Sequence, residues 1–339
     1  MKKPRILIVY TGGTIGMRQT DHGYEPVEGF ADLLTRRLEG RTLTPLPDYD
    51  LIEFDNLIDS ANLHPTDWTK IAGTIIAHKD KYDGFVILHG TDTMAYTASA
   101  LSFILLGLNK PVILTGAQIP LIELRNDAFP NVVTSLMLAA DYDIPEVCLY
   151  FNGRIMRGNR CRKLKSAGFD AFDTPNFPWL GTVGINIDIR TELLLRKKTP
   201  DFHQKEFQAN SVAMLQLYPG IDAHMFRGML DSEDLKALII LSYGVGNPPN
   251  NNKGLIDFLA AARAKGLVVL NVSQCIEGAV HQGAYATGET FNQIGVVPAL
   301  DLTLEAAFTK LHFLISKGCN SDLIRRELLV PYCGECNPL

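Results

Sequence analysis

Three short segments of this chain set hydroxyls beside glycines or carboxylates, a combination suited to chemistry on a small polar molecule. In Thr11-Gly12-Gly13-Thr14-Ile15-Gly16, two glycines let the backbone turn sharply and come close to a ligand, and a threonine hydroxyl stands at the turn. The glycines fall as G-G-x-x-G. Neither G-x-G-x-x-G nor the Gly-Lys-Ser/Thr of a phosphate loop is present, so a nucleotide site is disfavoured, and the plain alternative is a tight turn before a helix. In His89-Gly90-Thr91-Asp92-Thr93-Met94, a hydroxyl adjoins a carboxylate. Asp92 could anchor an amine and Thr91 could help to activate water; equally, Thr and Asp are favoured helix caps. Asp59-Ser60-Ala61-Asn62 follows the apolar run Leu51 to Ile58. Ser60 could hold a small carboxylate with its hydroxyl and backbone N–H, or the segment simply makes a turn.

Two further clusters invite a chemical reading. Arg154, Arg157, Arg160, Arg162, Lys163 and Lys165 crowd one stretch. They read as a solvated basic face, as a nucleic-acid patch, or as a segment from which one lysine turns inward to pair with a carboxylate. Burial can bring a lysine into a proton-shuttling range. Cys333-Gly334-Glu335-Cys336 has no second cysteine pair nearby for a closed zinc site and lacks the strand-to-helix context of a redox motif. The histidines are scattered without H-E-x-x-H, so no metal site is expected.

Short apolar strands must carry these segments. Ile6 to Tyr10 runs into Thr11, Gly84 to Leu88 into His89, and Pro111 to Leu114 into Thr115-Gly116-Ala117-Gln118. Near-continuous apolar runs mark a parallel sheet covered on both faces, and the segments Thr66 to His78 and Met94 to Leu106 fit crossover helices. The pattern recurs in Ala237 to Leu241, a helix over Lys253 to Lys265, and Leu267 to Val272. Ligands of such sheets bind outside the C-terminal strand ends, where the hydroxyl segments fall.

At 339 residues the chain suggests two domains, divided as 1–190 and 211–339 by a charged linker at 191–210. Its 46% apolar and 20% charged residues exclude a mostly disordered chain. A net charge of 32 − 37 = −5 argues against a general nucleic-acid binder. Six cysteines are too few for a disulfide scaffold. The apolar run Ile6 to Tyr10 is too short for an export signal, and no run approaches the ~20 residues of a membrane span. No membrane partner and a cytoplasmic location are expected.

The combination is more specific than its parts. With Thr-Gly-Gly-Thr-Ile-Gly at 11–16, His-Gly-Thr-Asp-Thr-Met at 89–94, Thr-Gly-Ala-Gln at 115–118, Arg157-Gly158-Asn159-Arg160 and Ser242-Tyr243-Gly244-Val245-Gly246-Asn247, the chain resembles the bacterial L-asparaginase family, most of all its cytosolic type I branch, from about Arg5 to Arg325. The resemblance implies an α/β fold with two domains: an N-terminal flavodoxin-like parallel sheet with flanking helices and a smaller C-terminal Rossmann-like domain. It implies hydrolysis of L-asparagine to L-aspartate and ammonia through a covalent acyl-threonine intermediate, without a cofactor. Thr14 matches the nucleophile, Thr91 and Asp92 the second threonine and its acid, and Lys163 the family lysine. Ser60, within Asp59-Ser60-Ala61, matches the residue holding the substrate's α-carboxylate, and Tyr24 the tyrosine of a flap over the site. Ala117 and Gln118 match the loop that contacts the substrate amide. Either Lys163, held by Asp92 and reached through Thr91, or Tyr24 would assist the nucleophile.

The resemblance also implies a homodimer or a homotetramer built as a dimer of dimers, with Asn247 helping to complete the neighbour's site. An arginine is expected just before Ser242 and a threonine just before Lys163 for a regulatory asparagine site; Leu241 and Arg162 stand there, although Cys275 remains. The expectation is that such a site does not work here in the inherited way. Competing readings are a glutaminase-asparaginase, a binding module that has lost turnover, a nucleic-acid binder, and the amidase half of a tRNA-dependent amidotransferase. The last calls for an N-terminal region that a motif beginning at Thr11 does not leave.

Overall fold

The computed structural model describes residues 3–338 except 22, 27, 28 and 39–45. The chain divides into two compact units at 204/205. In the first, Arg5–Tyr10 pairs in parallel with both Asp48–Glu53 and Gly84–Leu88, and the ladder continues in parallel through Val112–Thr115 to Val147–Phe151. Numbered along the chain, these five strands lie in the order 2-1-3-4-5, the flavodoxin-like arrangement whose switch point falls between the first and third strands. The sheet does not stay parallel throughout. Arg154–Arg157, Gly181–Val183 and Ile187–Ile189 extend it antiparallel to eight strands, because Asn152 and Gly153 turn the chain directly back on Val147–Phe151 with φ of 47° and 76°. So short a connection can only produce an antiparallel neighbour.

The apolar runs behave as their composition demands. Ile6 to Tyr10 and Gly84 to Leu88 are buried along their whole length, since helices cover both faces. The helix Pro65–His78 begins on a capping box in which the His64 ring accepts from Thr66 N–H and Asp67 accepts from His64 N–H, with proline in the first turn. The helix expected over Met94 to Leu106 ends at Ile104. Leu105–Leu106 instead pairs antiparallel with Asp201–Phe202. That pairing, with the hydrogen bonds joining Asn109 to both the N–H and the carbonyl of Lys198, straps the first part of the 191–210 stretch onto the first unit.

The second unit repeats the architecture on a smaller scale: Val212–Gln216, Ala237–Ser242, Val268–Ser273 and Val297–Pro298 form a four-stranded parallel sheet in chain order. Its tail is not a loose appendage. Lys310 and Glu335, both fully buried, form an ion pair at 2.8 Å, and the Glu335 carboxylate also accepts from the N–H groups of Tyr332 and Cys333. Cys333 and Cys336, both buried and neither in a disulfide, flank this clasp. Among the described residues, no helix is long and apolar enough to cross a membrane, and no cluster of three or more His, Cys, Asp or Glu is placed to hold a metal ion.

The basic stretch Arg154–Lys165 is not one solvated face. Arg157 is buried and forks onto Glu146 at 2.7 and 3.3 Å, and its guanidinium also donates to Leu193 O. Arg154 pairs with Asp173, and Lys165 with Asp170. Breaking a buried pair by removing one partner strands the other charge, at a cost of about 3–5 kcal/mol. Arg157→Leu should therefore lower the urea-unfolding free energy of the first unit by about that amount. The double variant Arg157→Leu/Glu146→Leu should regain most of the loss, and equal losses in the two proteins would show that the ion pair is not responsible.

Candidate active site

The switch point of the first unit is where its strands deliver their hydroxyl-bearing turns. Beyond Arg5–Tyr10 and Gly84–Leu88 the ladder persists for one more step, with Thr11 N–H donating to Leu88 O and His89 N–H to Thr115 O. The two turns then touch backbone to backbone. Gly13 has a φ of 94°, and a Cβ placed there would lie 2.4 Å from Gly90 Cα. A Cβ on Gly90 would lie 2.5 Å from Ser60 Oγ. Only residues without side chains permit this approach, and it brings Thr14, Ser60 and Thr91 to one mouth.

The two threonines of the first turn are in different situations. The buried Thr11 hydroxyl donates to Leu88 O at 2.9 Å and so completes the ladder. Thr14 opens a single 3-10 turn, partly exposed, and its hydroxyl has no hydrogen-bond partner among the described residues.

Thr91 and Asp92 are not helix caps. The next helix starts at Met94 with Thr93 at its cap, and the Thr93 hydroxyl donates instead to Ser60 O at 2.8 Å. Both residues face Lys163, which arrives from Arg162–Lys163, a two-residue strand paired with Phe172–Asp173. Its Nζ donates to Thr91 Oγ1 at 2.8 Å and to Asp92 Oδ1 at 2.6 Å. The Lys163 side chain is 18% exposed against 61% for Asp92, so the ammonium is mostly withdrawn while the carboxylate still meets solvent.

Asp59 does make the turn that its residue type suggests: its carboxylate accepts from Ala61 N–H at 3.0 Å and opens the short helical turn Ser60–Asn62, burying Ser60 behind Gly90. Ala117 is buried in the core, and Gln118 beyond it reaches the Thr91 hydroxyl through a long contact of 3.4 Å. Gln118 Nε2 donates to Ser166 O and Gly168 O, while Asp127 accepts from the N–H groups of Gln118 and Ile119. Tyr24 sits on an antiparallel hairpin, Met17–Thr20 with Gly23–Pro26, and is 51% exposed. Asn247 belongs to the second unit, where its side chain accepts from the Thr287 hydroxyl at 3.1 Å. The motif reading thus brings Thr14, Ser60, Thr91, Asp92 and Lys163 together within the first unit, while Tyr24 stands half-exposed on its hairpin.

Three residues carry no role in the sequence motifs and acquire one in the fold. His89 is fully buried, and burial pushes its pKa down to about 4 against the smaller opposing pull of Gly90 O and Asp67. Thr97 is its partner. Asp127 holds the Gln118 turn from the start of the helix Ala128–Asp141. An acid immediately before a helix is a recognisable sequence signal, but a cap is its obvious use; no signal exposes the Thr97 contact.

As a chemical unit the mouth offers an unencumbered hydroxyl, a second hydroxyl bonded to a lysine, a carboxylate that holds the lysine, and a serine beside them. Such a set suits nucleophilic attack with an associated proton carrier.

Known proteins resemble this chain along its whole length. The family model described as "Asparaginase, N-terminal" matches residues 5–195, and the "Glutaminase/Asparaginase C-terminal domain" matches residues 211–328. The protein is 45% identical to "L-asparaginase 1" of Escherichia coli K12, in an alignment covering 100% of this chain and 99% of that one, so the likeness extends through the Cys333–Cys336 tail. The crystal structure of L-asparaginase I from Vibrio cholerae superposes with a TM-score of 0.89 at 42% identity, covering 99% of this chain and all of that one. The thermostable L-asparaginase from Thermococcus kodakarensis superposes with a TM-score of 0.88 at 30% identity, again over 99% of this chain and all of that one.

If the Gly13–Gly90 approach sets the mouth, Gly13→Ala should be costly twice over. A left-handed φ and a Cβ against backbone leave no cheap relaxation, so we expect at least about 2 kcal/mol of destabilisation. Thermal melting checks this, and a melting temperature within a degree of the parent would mean that the turns are not in contact.

Proposed function

This chain belongs to the asparaginase family, and on that premise we infer that it is an amidohydrolase converting L-asparagine to L-aspartate and ammonia through a covalent acyl-threonine intermediate. The observation that carries the assignment of roles is the Lys163 ammonium bonded at once to Thr91 Oγ1 and Asp92 Oδ1, at the mouth where the Thr14 hydroxyl stands unpartnered among the described residues.

A carboxamide is a poor electrophile, and a hydroxyl nucleophile divides its hydrolysis into two easier steps. Thr14 Oγ attacks the side-chain amide carbon; a C–O bond forms, the C–N bond breaks, and the threonine proton passes to the departing nitrogen, which leaves as ammonia. Water placed by Thr91 then adds to the β-aspartyl ester. The C–O bond to Thr14 breaks, aspartate leaves, and Thr14 recovers its proton. Lys163 and Thr91 form the proton path, with Asp92 holding the lysine in place. Tyr24 lies outside this path and suits a covering role. Ser60 holds the α-carboxylate, Asp59 and Ala61 shape the turn that presents it, and the Ala117 backbone meets the substrate amide. Backbone N–H donors at such a site are each worth about 3–4 kcal/mol to the oxyanion.

A cytoplasmic location and a homodimer or dimer of dimers, with Asn247 contributing to a neighbour's site, belong to the same reading and rest on the type I likeness. One methylene separates asparagine from glutamine, a difference worth only about 1–3 kcal/mol in an apolar pocket, so both substrates belong in the assay.

Ammonia release from L-asparagine and L-glutamine, measured side by side, tests the reading. The expected result is release from asparagine that Thr14→Ala lowers by about 10³-fold or more, with an unchanged melting temperature. Asp92→Asn should cost about 10²-fold by releasing Lys163. Wild-type turnover in Thr14→Ala would remove the nucleophile assignment, and no release from either amide would return the chain to a binding role.

A further inference from the structure

His89 makes two hydrogen bonds from a fully buried ring: Nδ1 lies 2.7 Å from Gly90 O, and Nε2 lies 2.9 Å from Thr97 Oγ1. A carbonyl oxygen can only accept, so Nδ1 carries the proton. The ring is held neutral by burial, so Nε2 is bare and the Thr97 hydroxyl donates to it. Thr97 stands on the helix Met94–Ile104, one turn beyond the cap, and is itself fully buried. The helix therefore selects a tautomer, and the tautomer grips one carbonyl.

That carbonyl matters because of what shares its peptide group. Gly90 C=O and Thr91 N–H lie in one trans plane and point in opposite directions, and rotating one rotates the other. Gly90 is also the residue against which the Gly13 turn packs, so the plane cannot swing freely. Among the described residues, no group accepts from Thr91 N–H, although the Thr91 hydroxyl is bonded to Lys163. We infer that His89 is a positioning residue, which aims the Thr91 N–H at the oxygen where negative charge develops on the scissile amide. The inference rests on the amidohydrolase reading of this mouth. It assigns the second bond, from Thr97 to the ring, the task of keeping the Nδ1 proton where Gly90 needs it.

An interaction made only with the developing oxyanion lowers kcat when lost and leaves KM nearly untouched, whereas a loss of general packing follows the melting temperature. Two amide substitutions separate these cases, because an asparagine N–H falls near the position of Nδ1 and a glutamine N–H near that of Nε2. His89→Asn should keep the grip on Gly90 O and retain kcat within about 5-fold of the parent. His89→Gln should lose it and fall by about 10²-fold in kcat, the effect typical of one oxyanion donor, with KM within about 3-fold. The two variants should melt within a few degrees of each other. Equal activities in the pair, or activities that simply follow the melting temperatures, would overturn the inference.

If His89→Gln does not fold, Thr97→Val tests the same arrangement from the other end. It should lower kcat by about 10-fold through the freed tautomer, and an unchanged kcat there also counts against the inference. Nitrogen-15 NMR of the histidine rings gives a readout independent of turnover. His89 should show a protonated Nδ1 and a bare Nε2 at neutral pH, and the opposite tautomer would overturn the inference even in an active enzyme. A wild-type protein that leaves asparagine intact while showing the Nδ1–H tautomer would fail the functional reading alone.

Discussion

The turns that leave two neighbouring parallel strands meet backbone to backbone at Gly13 and Gly90, and the mouth of the first unit is organised around that approach. It is possible only because both residues lack a Cβ, and it is held because each turn is tied down separately: Thr11 by its bonds to Leu88 O, and Gly90 by the His89 ring. From this contact follow the position of Thr14 on one turn, of Thr91 and Asp92 on the other, and of Ser60 against Gly90. The sheet order makes it possible. A 2-1-3-4-5 arrangement sends the crossovers from the first and third strands to opposite faces, opening a crevice at their C-terminal ends.

Charge enters this crevice from a distant part of the chain. The stretch Arg154–Lys165 carries six cations, and Arg154, Arg157, Lys163 and Lys165 meet carboxylates from other parts of the first unit. Arg157 ties two neighbouring interior strands of the sheet together through Glu146, Arg154 holds Asp173, Lys165 holds Asp170, and Lys163 is delivered to Thr91 and Asp92. Arg157 and Arg160 both stack on Phe177, at 4.5 and 5.0 Å. A run of like charge that reads as a surface patch is thus spread over the body of the unit, which removes the main ground for a nucleic-acid face.

Much of this was legible from residue type alone. Apolar runs without alternation announced strands buried on both faces, and the hydroxyl motifs fell directly after them, where parallel sheets bind ligands. Local chemistry settled less. Thr91-Asp92 has the composition of a cap and is not one, while Asp59 has the composition of a turn residue and is one. Leu106 continues a helical pattern yet belongs to a strand, because its partner, Asp201, lies far along the chain. The cysteine spacing at 333–336 suggests no chemistry and gives no hint of the clasp, because Lys310, the cation paired with the buried Glu335, sits on a helix that precedes it in the chain.

The sequence by itself determined the class of fold, the family, and the chemical types gathered at the strand ends, because these depend on short-range pattern and on motifs only a few residues long. Tertiary structure decided which of several equivalent side chains does what. Thr14 and Thr11 are both threonines of one turn, but only Thr11 meets a carbonyl left over from the neighbouring strand. Lys163 is one cation of six, and it becomes the one at the mouth because a two-residue strand carries it to a carboxylate 71 positions away. His89 is an ordinary residue of its motif until the helix that follows brings Thr97 to its second nitrogen. In each case the deciding partner lies outside the motif, and a hydrogen bond a few ångströms long leaves no trace in local residue pattern.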